Sequence, residues 1–285
     1  MQVTLGLGRR VSDGVSGYGV YAVPILIVIL GLYLIPLLSV LGLSVTDPKW
    51  GPDNYVRALT ADGPLKVLAT TLRICVFSTI LSVVAGYVLA YATISARAGL
   101  RLVLMAAILV PFWVSVLIRA FAWLILLRDN GVLNDTLMGL HLISEPIHLA
   151  RTETAVVIGM AHYLTPYATL PLIAAMQQID MRVIAAAKSL GASDGRTFFR
   201  VFLPMTAPGL FAALVIVFVF SLGFFVTPAI LGGGRVMMIS EYVSVNVLQT
   251  IRWGFAAAEA TLLLLLTLAA VTVLSRTVGL KRALG

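Results

Sequence analysis

Four long stretches of this chain carry no charged residue: 14–46, 74–96, 154–179 and 201–234. A bilayer core of about 30 Å is crossed by roughly 20 apolar residues in a helix, so each stretch is long enough to span. Two more segments are broken by a single charge, 102–127 by Arg119 and 255–275 by Glu259. Six helices are therefore expected, at about 20–45, 67–94, 102–127, 154–178, 205–231 and 256–276. Membrane strands need only about 10 residues and alternate in polarity, and runs such as 262–266 do not alternate. The first span is too long for a signal-peptide core and is read as retained.

With 60% apolar and 11% charged residues, the chain is not an isolated water-soluble enzyme, a disordered polymer or a disulfide-built secreted module. A lone cysteine, Cys75, permits neither an internal disulfide nor a cysteine metal cluster. The expected organisation is a cytoplasmic segment 1–19, one transmembrane domain 20–276 and a cytoplasmic tail 277–285.

Basic residues orient the spans, because Lys and Arg concentrate on the cytoplasmic side. Segments 1–19, 95–101, 179–203 and 276–285 hold 11 of them. The longer opposite segments 46–66, 128–152 and 232–256 hold 7, matched by 7 acids. Both termini are thus expected in the cytoplasm. The formal net charge of +8 lies wholly on that side and marks orientation, not nucleic-acid binding.

The outer loops are short, with turn signals at Trp50-Gly51-Pro52-Asp53-Asn54 and Asp129-Asn130-Gly131. They either cap the bundle or form a docking rim. The cytoplasmic loop 180–204 differs. Met181–Leu190 is rich in helix formers, Gly191 stops it, and Ser193 or Asp194 can cap a second short helix. That helix carries Phe198, Phe199 and Val201–Leu203, and Pro204 permits a new start for the fifth span. On pattern alone, the loop is either a projecting helix–Gly–helix hook or an amphipathic segment lying on the membrane.

At this loop the sequence resembles the inner-membrane permease subunits of binding-protein-dependent ABC importers. Their signature is Glu-Ala-Ala, three residues, Gly, nine residues, Ile, any residue, Leu, Pro. Here Ala185-Ala186-Ala187, Gly191, Val201, Leu203 and Pro204 occupy those positions, with Ala185 in place of Glu and Val201 in place of Ile. The stretch Pro111-Phe112-Trp113-Val114-Ser115-Val116-Leu117-Ile118-Arg119, then Trp123, Gly131 and Asn134, is similar to spermidine/putrescine-type permeases, as is Thr227-Pro228-Ala229-Ile230-Leu231-Gly232-Gly233.

The resemblance implies an all-α integral membrane protein with six transmembrane helices, the type I importer permease fold and a coupling-helix loop. It implies as partners a second permease, two ATPase subunits and a periplasmic substrate-binding protein. The coupling residues carried over are Ala185, Ala186, Ala187, Ser189, Leu190, Gly191, Ala192, Ser193, Arg196, Phe199, Leu203 and Pro204. Loss of the usual Glu at Ala185 shifts docking toward shape and apolar packing.

No GxxxxGK[ST] loop is present, so this chain is not expected to hydrolyse ATP; ATP and Mg belong to the partner ATPase, and no cofactor is expected here. His141, His148 and His162 lack metal spacing. An ionisable group inside a span usually faces the bundle interior or a water path, which singles out Arg119, unless it snorkels or bonds loop carbonyls. Trp113, Trp123, Tyr163, Tyr167, Phe224 and Glu241 are the accompanying pathway candidates, since an amine cargo is recognised by aromatic faces and carboxylates. Tyr163–Pro171, with Pro166 and Pro171, is the candidate lining or hinge element. An ion-gradient-driven secondary transporter stays open as the other reading, although no internal repeat is visible.

Overall fold

The computed structural model describes the backbone of residues 8–283 and the side chains of 23–273, 275 and 276. Of the expected terminal segments 1–19 and 277–285, residues 1–7 and 284–285 lie outside the described residues. Everything described is helix or connection. In order come α1 (Gly8–Thr46), α2 (Asp53–Thr60), α3 (Asp62–Ser95), α4 (Ala98–Trp113), α5 (Val116–Leu126), α6 (Val132–Gly139) and α7 (Glu153–Gln177). There follow α8 (Met181–Ser189), α9 (Asp194–Thr197), a wide π-type turn (Phe198–Phe202), α10 (Leu203–Met205) and α11 (Ala207–Leu222). The chain ends with α12 (Val226–Gly232), α13 (Ile239–Leu248) and α14 (Trp253–Ala283).

Four helices are each long and apolar enough to cross a bilayer, and two bent pairs raise the number to six if each pair is one span. The bends change two expected spans. The stretch 102–127 turns by 104° between α4 and α5. Val114 and Ser115 are extended there, with ψ of 129° and 138°, so the helix restarts in a new direction just after Pro111. The stretch 205–231 is not one helix either. The segment Asp194–Met205 meets α11 at 61°, the span proper begins at Ala207, and it stops at Leu222. Gly223 and Phe224 interrupt it before α12, which Gly233 closes in the left-handed region at φ +54°.

Helix α7 is the central post, packed by α3, α11, α12, α5 and α4. It runs unbroken through Pro166 and Pro171. Close approach depends on small residues, as expected where lipid offers no hydrophobic drive between helices. A Cβ on Gly86 would lie 2.8 Å from the Ala168 Cβ, and one on Gly209 would overlap the Ala175 Cβ. Polar ties cross the same seams: the buried Ser82 hydroxyl donates to the Ala161 carbonyl at 3.3 Å, and Ile239 N–H donates to Thr71 Oγ1 at 2.9 Å. Helix α1 lies against α14, and its residues 23–30 are exposed.

The end of the bundle that holds the loop after α5 is pinned by local bonds. Asn134 is fully buried and ties the loop after α5 to the extended connection before α7. Its Nδ2 donates to the Arg128 and Ile147 carbonyls at 3.1 and 3.0 Å, and its Oδ1 accepts from Ile147 N–H at 2.9 Å. Gly254 N–H donates to Asp47 Oδ2 at 2.7 Å, joining the start of α14 to the end of α1.

Candidate functional site

Two clusters answer to the residues singled out in the sequence, one at each end of a mechanical chain. The first is the loop between α7 and α11. Asp180 caps α8 by accepting from Arg182 N–H at 2.9 Å. Ala185, Ala186, Ala187 and Ser189 lie on α8. The helix closes through Gly191 N–H to Lys188 O (2.9 Å) and Ala192 N–H to Ala187 O (3.1 Å), with Gly191 at φ +85°. That left-handed conformation is the reason a glycine stands there. Ser193 then caps α9, on which Arg196 sits, Phe199 lies in the wide turn, and Leu203 and Pro204 form α10.

The two arms of this hook are clipped by Lys188 Nζ and Asp194 Oδ1 at 2.7 Å. Each partner favours the charged form of the other, so the Lys188 ammonium is pushed up and the Asp194 carboxyl down, first by the hydrogen bond and then by the charge. Both side chains are exposed to solvent, so the clip orients more than it stabilises.

The aromatic residues divide by direction. Phe202 is buried and Phe198 half-buried, and both face inward. Phe198 meets Tyr87 and Tyr91 edge-on at 6.2 and 5.5 Å, and Phe202 meets Tyr91 at 5.4 Å. Leu190 and Phe199 face outward, 89% and 67% exposed. The wide turn sets this split, since Leu203 N–H reaches back to Phe198 O and five residues fill one turn. The Tyr87 hydroxyl also meets Thr206 Oγ1 at 3.0 Å, linking α3 to the start of α11. A cavity of about 650 Å³ lies between hook and spans, lined by Tyr91, Arg101, Met176, Ile184, Lys188 and Phe198 among others. The sequence puts Phe198, Phe199 and Val201–Leu203 together on one short helix, and nothing in its pattern marks Tyr87, Tyr91 or Thr206 as their partners.

The second cluster is deep in the bundle. Tyr163 lies ten residues into α7, about 15 Å from its N-terminal end at 1.5 Å per residue. The Arg119 guanidinium of α5 sits over the Tyr163 ring, 4.4 Å from its centre. Tyr163 and Tyr167 stack at 5.7 Å with hydroxyls 3.4 Å apart. Phe224 packs on Tyr163 at 4.7 Å, while Phe112 and Phe220 pack on Tyr167 at 5.0 and 4.9 Å. Helices α4, α5, α7 and α11 and the break before α12 all contribute. Arg119 has no ion-pair partner among the described residues, and its Nε is buried without a hydrogen bond.

The structure thus brings together Arg119, Tyr163, Tyr167 and Phe224. It leaves the other three candidates apart. Trp113 is 90% exposed at the α4–α5 break. Trp123 packs edge-on against His162 at 5.7 Å. Glu241 is buried on α13 with Oε2 unpaired, and burial pushes its carboxyl up. Phe112 and Phe220 were not singled out, although Phe220 and Phe224 have the same four-residue spacing as Tyr163 and Tyr167. Among the described residues, no group of three or more His, Cys, Asp or Glu side chains is placed to hold a metal.

Residues 78–279 match the family described as binding-protein-dependent transport system inner membrane component. The spermidine/putrescine transport system permease protein PotB of Haemophilus influenzae is 32% identical, over 79% of this chain and 81% of that protein. PotB of Escherichia coli K12 is 33% identical, over 73% and 75%. The trehalose transport system permease protein SugB of Mycobacterium tuberculosis is more distant, at 28% over 68% of each chain. Among solved structures, a bacterial ABC transporter that imports the acidic polysaccharide alginate superposes with a TM-score of 0.71 at 20% identity, over 94% of this chain and 99% of that one. The same kind of transporter in complex with its alginate-bound periplasmic protein gives 0.74 at 18% identity, over 92% and 94%. At such identities the likeness concerns the fold alone.

Proposed function

Given that this chain belongs to the family of binding-protein-dependent inner-membrane transport components, and is a permease subunit of an ABC importer, we propose that its cargo is a polyamine or a closely related small amine. The observation that carries this reading is the identity to two PotB permeases across roughly three quarters of the chain. The chain supplies half of the pathway and pairs with a second, non-identical permease. A periplasmic binding protein delivers the cargo, and two ATPase subunits with ATP and Mg drive it. Both termini lie in the cytoplasm, consistent with the basic excess there.

Coupling runs through residues 180–204. ATP-driven closure of the ATPase subunits moves the hook, whose exposed Leu190 and Phe199 are free to enter a cleft on a partner. The half-buried Phe198 and the buried Phe202 carry that movement to α3 through Tyr87 and Tyr91, and the Tyr87–Thr206 contact carries it to α11. α11 packs directly on α7 and leads to Phe220 and Phe224, so the path ends at the aromatic cluster.

The test is uptake of labelled spermidine and putrescine into liposomes holding the full assembly. Uptake is expected only with binding protein outside and ATP inside, and is expected to vanish when residues 185–200 are deleted. Uptake by this chain alone, driven by an ion gradient without ATP, would overturn the reading in favour of a secondary transporter.

A further inference from the structure

The cavity of about 650 Å³ beneath the hook is bounded by the spans on one side and by the arms of the hook on the other. Its charged lining comes from three elements: Arg101 from the first turn of α4, Lys188 from α8 and Asp194 from α9. Thr197 lines it too, 3% exposed, and its hydroxyl has no hydrogen-bond partner. A helical threonine ordinarily returns its hydroxyl to the carbonyl one turn back, as Thr93 and Thr165 do, each at 2.7 Å. Thr197 does not, and a hydroxyl left unpaired out of water is costly.

The two cations are only partly spent. Arg101 donates through Nε and Nη2 to the Thr93, Ile94 and Ala96 carbonyls at 3.2, 3.0 and 3.5 Å, leaving Nη1 without a partner among the described residues. Lys188 gives one of its three ammonium hydrogens to Asp194 at 2.7 Å. The one carboxylate in the lining is thereby engaged, so the cavity presents spare donors from three elements and a surplus of positive charge. The opposite wall is apolar. Met176, Ile179 and Phe202 are buried and border the cavity. Beside Arg101, the side chains of Leu100, Leu102 and Val103 are all exposed on α4, an apolar shoulder at the end of a span. A ligand suited to both parts has an oxygen-rich anionic end and an apolar body. A free phosphate satisfies the donors and leaves the apolar wall uncovered, and an amine cargo is repelled.

We propose that this cavity binds an anionic phospholipid, its phosphate oxygens accepting from Thr197, Lys188 and Arg101 and an acyl chain lying against Met176, Ile179 and Phe202. Basic pockets at the ends of spans take lipid head groups because they hold charge where the hydrocarbon stops. The site itself does not depend on the cargo; its consequence rests on the importer reading above. The same cavity separates Ile184, Lys188 and Phe198 of the hook from Tyr91 and Met176 of the spans. A lipid lodged there acts as a strut, so movement of the hook reaches α3 and α7 instead of being taken up by closure of the cavity.

The test places the assembled transporter in phosphatidylcholine with and without phosphatidylglycerol. Retained lipid is read by native mass spectrometry, stability by thermal unfolding, and coupling by uptake per ATP hydrolysed in liposomes. Wild type is expected to retain phosphatidylglycerol, to unfold at higher temperature with it and to couple better with it. Thr197→Val keeps the size of the side chain and removes only the donor. It is expected to fold as well as wild type in phosphatidylcholine, to bind phosphatidylglycerol about three- to tenfold more weakly and to lose the lipid dependence of coupling. Arg101→Gln should bind it more weakly still; if that variant fails to assemble, Lys188→Gln carries the charge arm. Arg97→Gln removes a charge from the same end of the bundle without touching the cavity and should retain the lipid as wild type does. Equal retention by wild type and Thr197→Val would overturn the proposal, and so would equal losses in Arg97→Gln and Arg101→Gln, which would assign the lipid to general surface charge. Inorganic phosphate that stabilises wild type in phosphatidylcholine as fully as phosphatidylglycerol does would make the occupant a free anion and overturn the lipid assignment. If the lipid binds through Thr197 and no composition supports ATP-driven uptake, the importer reading falls and the site stands; if uptake is normal and Thr197→Val retains the lipid, the site falls alone.

Discussion

Replacing Leu190 and Phe199 together by Ser separates docking from folding. Both side chains are already exposed, at 89% and 67%, so the permease itself loses little packing when they go. Surface substitutions of this kind stay within about 0.5 kcal/mol. In the docked assembly the balance differs. Full burial of a Leu or Phe side chain contributes about 1.5–3 kcal/mol, and partial coverage in a cleft leaves roughly 2–4 kcal/mol for the pair. At about 1.4 kcal/mol per decade, capture of the ATPase subunits should weaken by a factor of roughly 30 to 1,000. Phe202→Ser is the contrasting variant. Phe202 is 6% exposed and packs on Tyr91 and Phe198, so its loss costs about 3–5 kcal/mol of packing under the hook. The assays are co-purification of ATPase subunits and the thermal unfolding of the purified permease. The double variant should lose capture at unchanged unfolding temperature, and Phe202→Ser should lower both. If the double variant keeps its ATPase subunits and instead unfolds at lower temperature, the hook lies on the membrane and the coupling argument fails.

Gly209→Val should destabilise the bundle, because its Cβ would overlap Ala175 on α7, and overpacking costs about 1–3 kcal/mol. A lowered unfolding temperature that Ala175→Gly partly restores would identify the seam; no change would show that the helices are not in such contact. The Lys188–Asp194 clip predicts a plateau with pH. The lowered Asp194 carboxyl contributes above the ordinary carboxylate range and is lost as pH falls through its folded value, while the raised Lys188 contributes until pH rises through its own. Proteolysis of the hook should therefore be flat through neutral pH, rising in acid and in strong alkali. In Asp194→Asn, proteolysis at neutral pH should rise toward the acid and alkaline level of the wild type and no longer vary with pH; neutral-pH proteolysis as slow as in the wild type would count against the clip.

What the sequence showed and what it hid divide along physical lines. Charge-free length is a local property, and it marks α1, α3, α7 and α14 well. The breaks after Trp113 and Leu222 run through equally apolar residues, so hydropathy passes over them. Their signals were Pro111 and Gly223, each ambiguous alone. The pairing of Tyr163 with Tyr167 follows from helical spacing, but Arg119 reaches Tyr163 only because α5 leaves α4 at 104°. Likewise Phe198 and Phe199 are neighbours in sequence and opposites in space, because the wide turn between α9 and α10 sets their directions.

The Arg119 contact decides one further point about selectivity. An arginine that stacks on Tyr163 occupies the aromatic face a cationic cargo would use, and its charge repels that cargo from Tyr167 next to it. Among the described residues no carboxylate neutralises it. The cluster is thus built to hold α5 against α7 at mid-membrane, where a charge left unpaired is costly and a ring is an available partner. On the proposed function, a polyamine passing this level would not be captured by it, choice of cargo would fall to the delivering protein and the outer face, and the deep cluster would act as a gate rather than a sieve. Tyr163→Phe keeps the ring under the guanidinium and should preserve transport, whereas Tyr163→Leu removes it and should lower the transport rate without changing which amine is preferred. A switch in amine preference in the Leu variant would refute this division of labour.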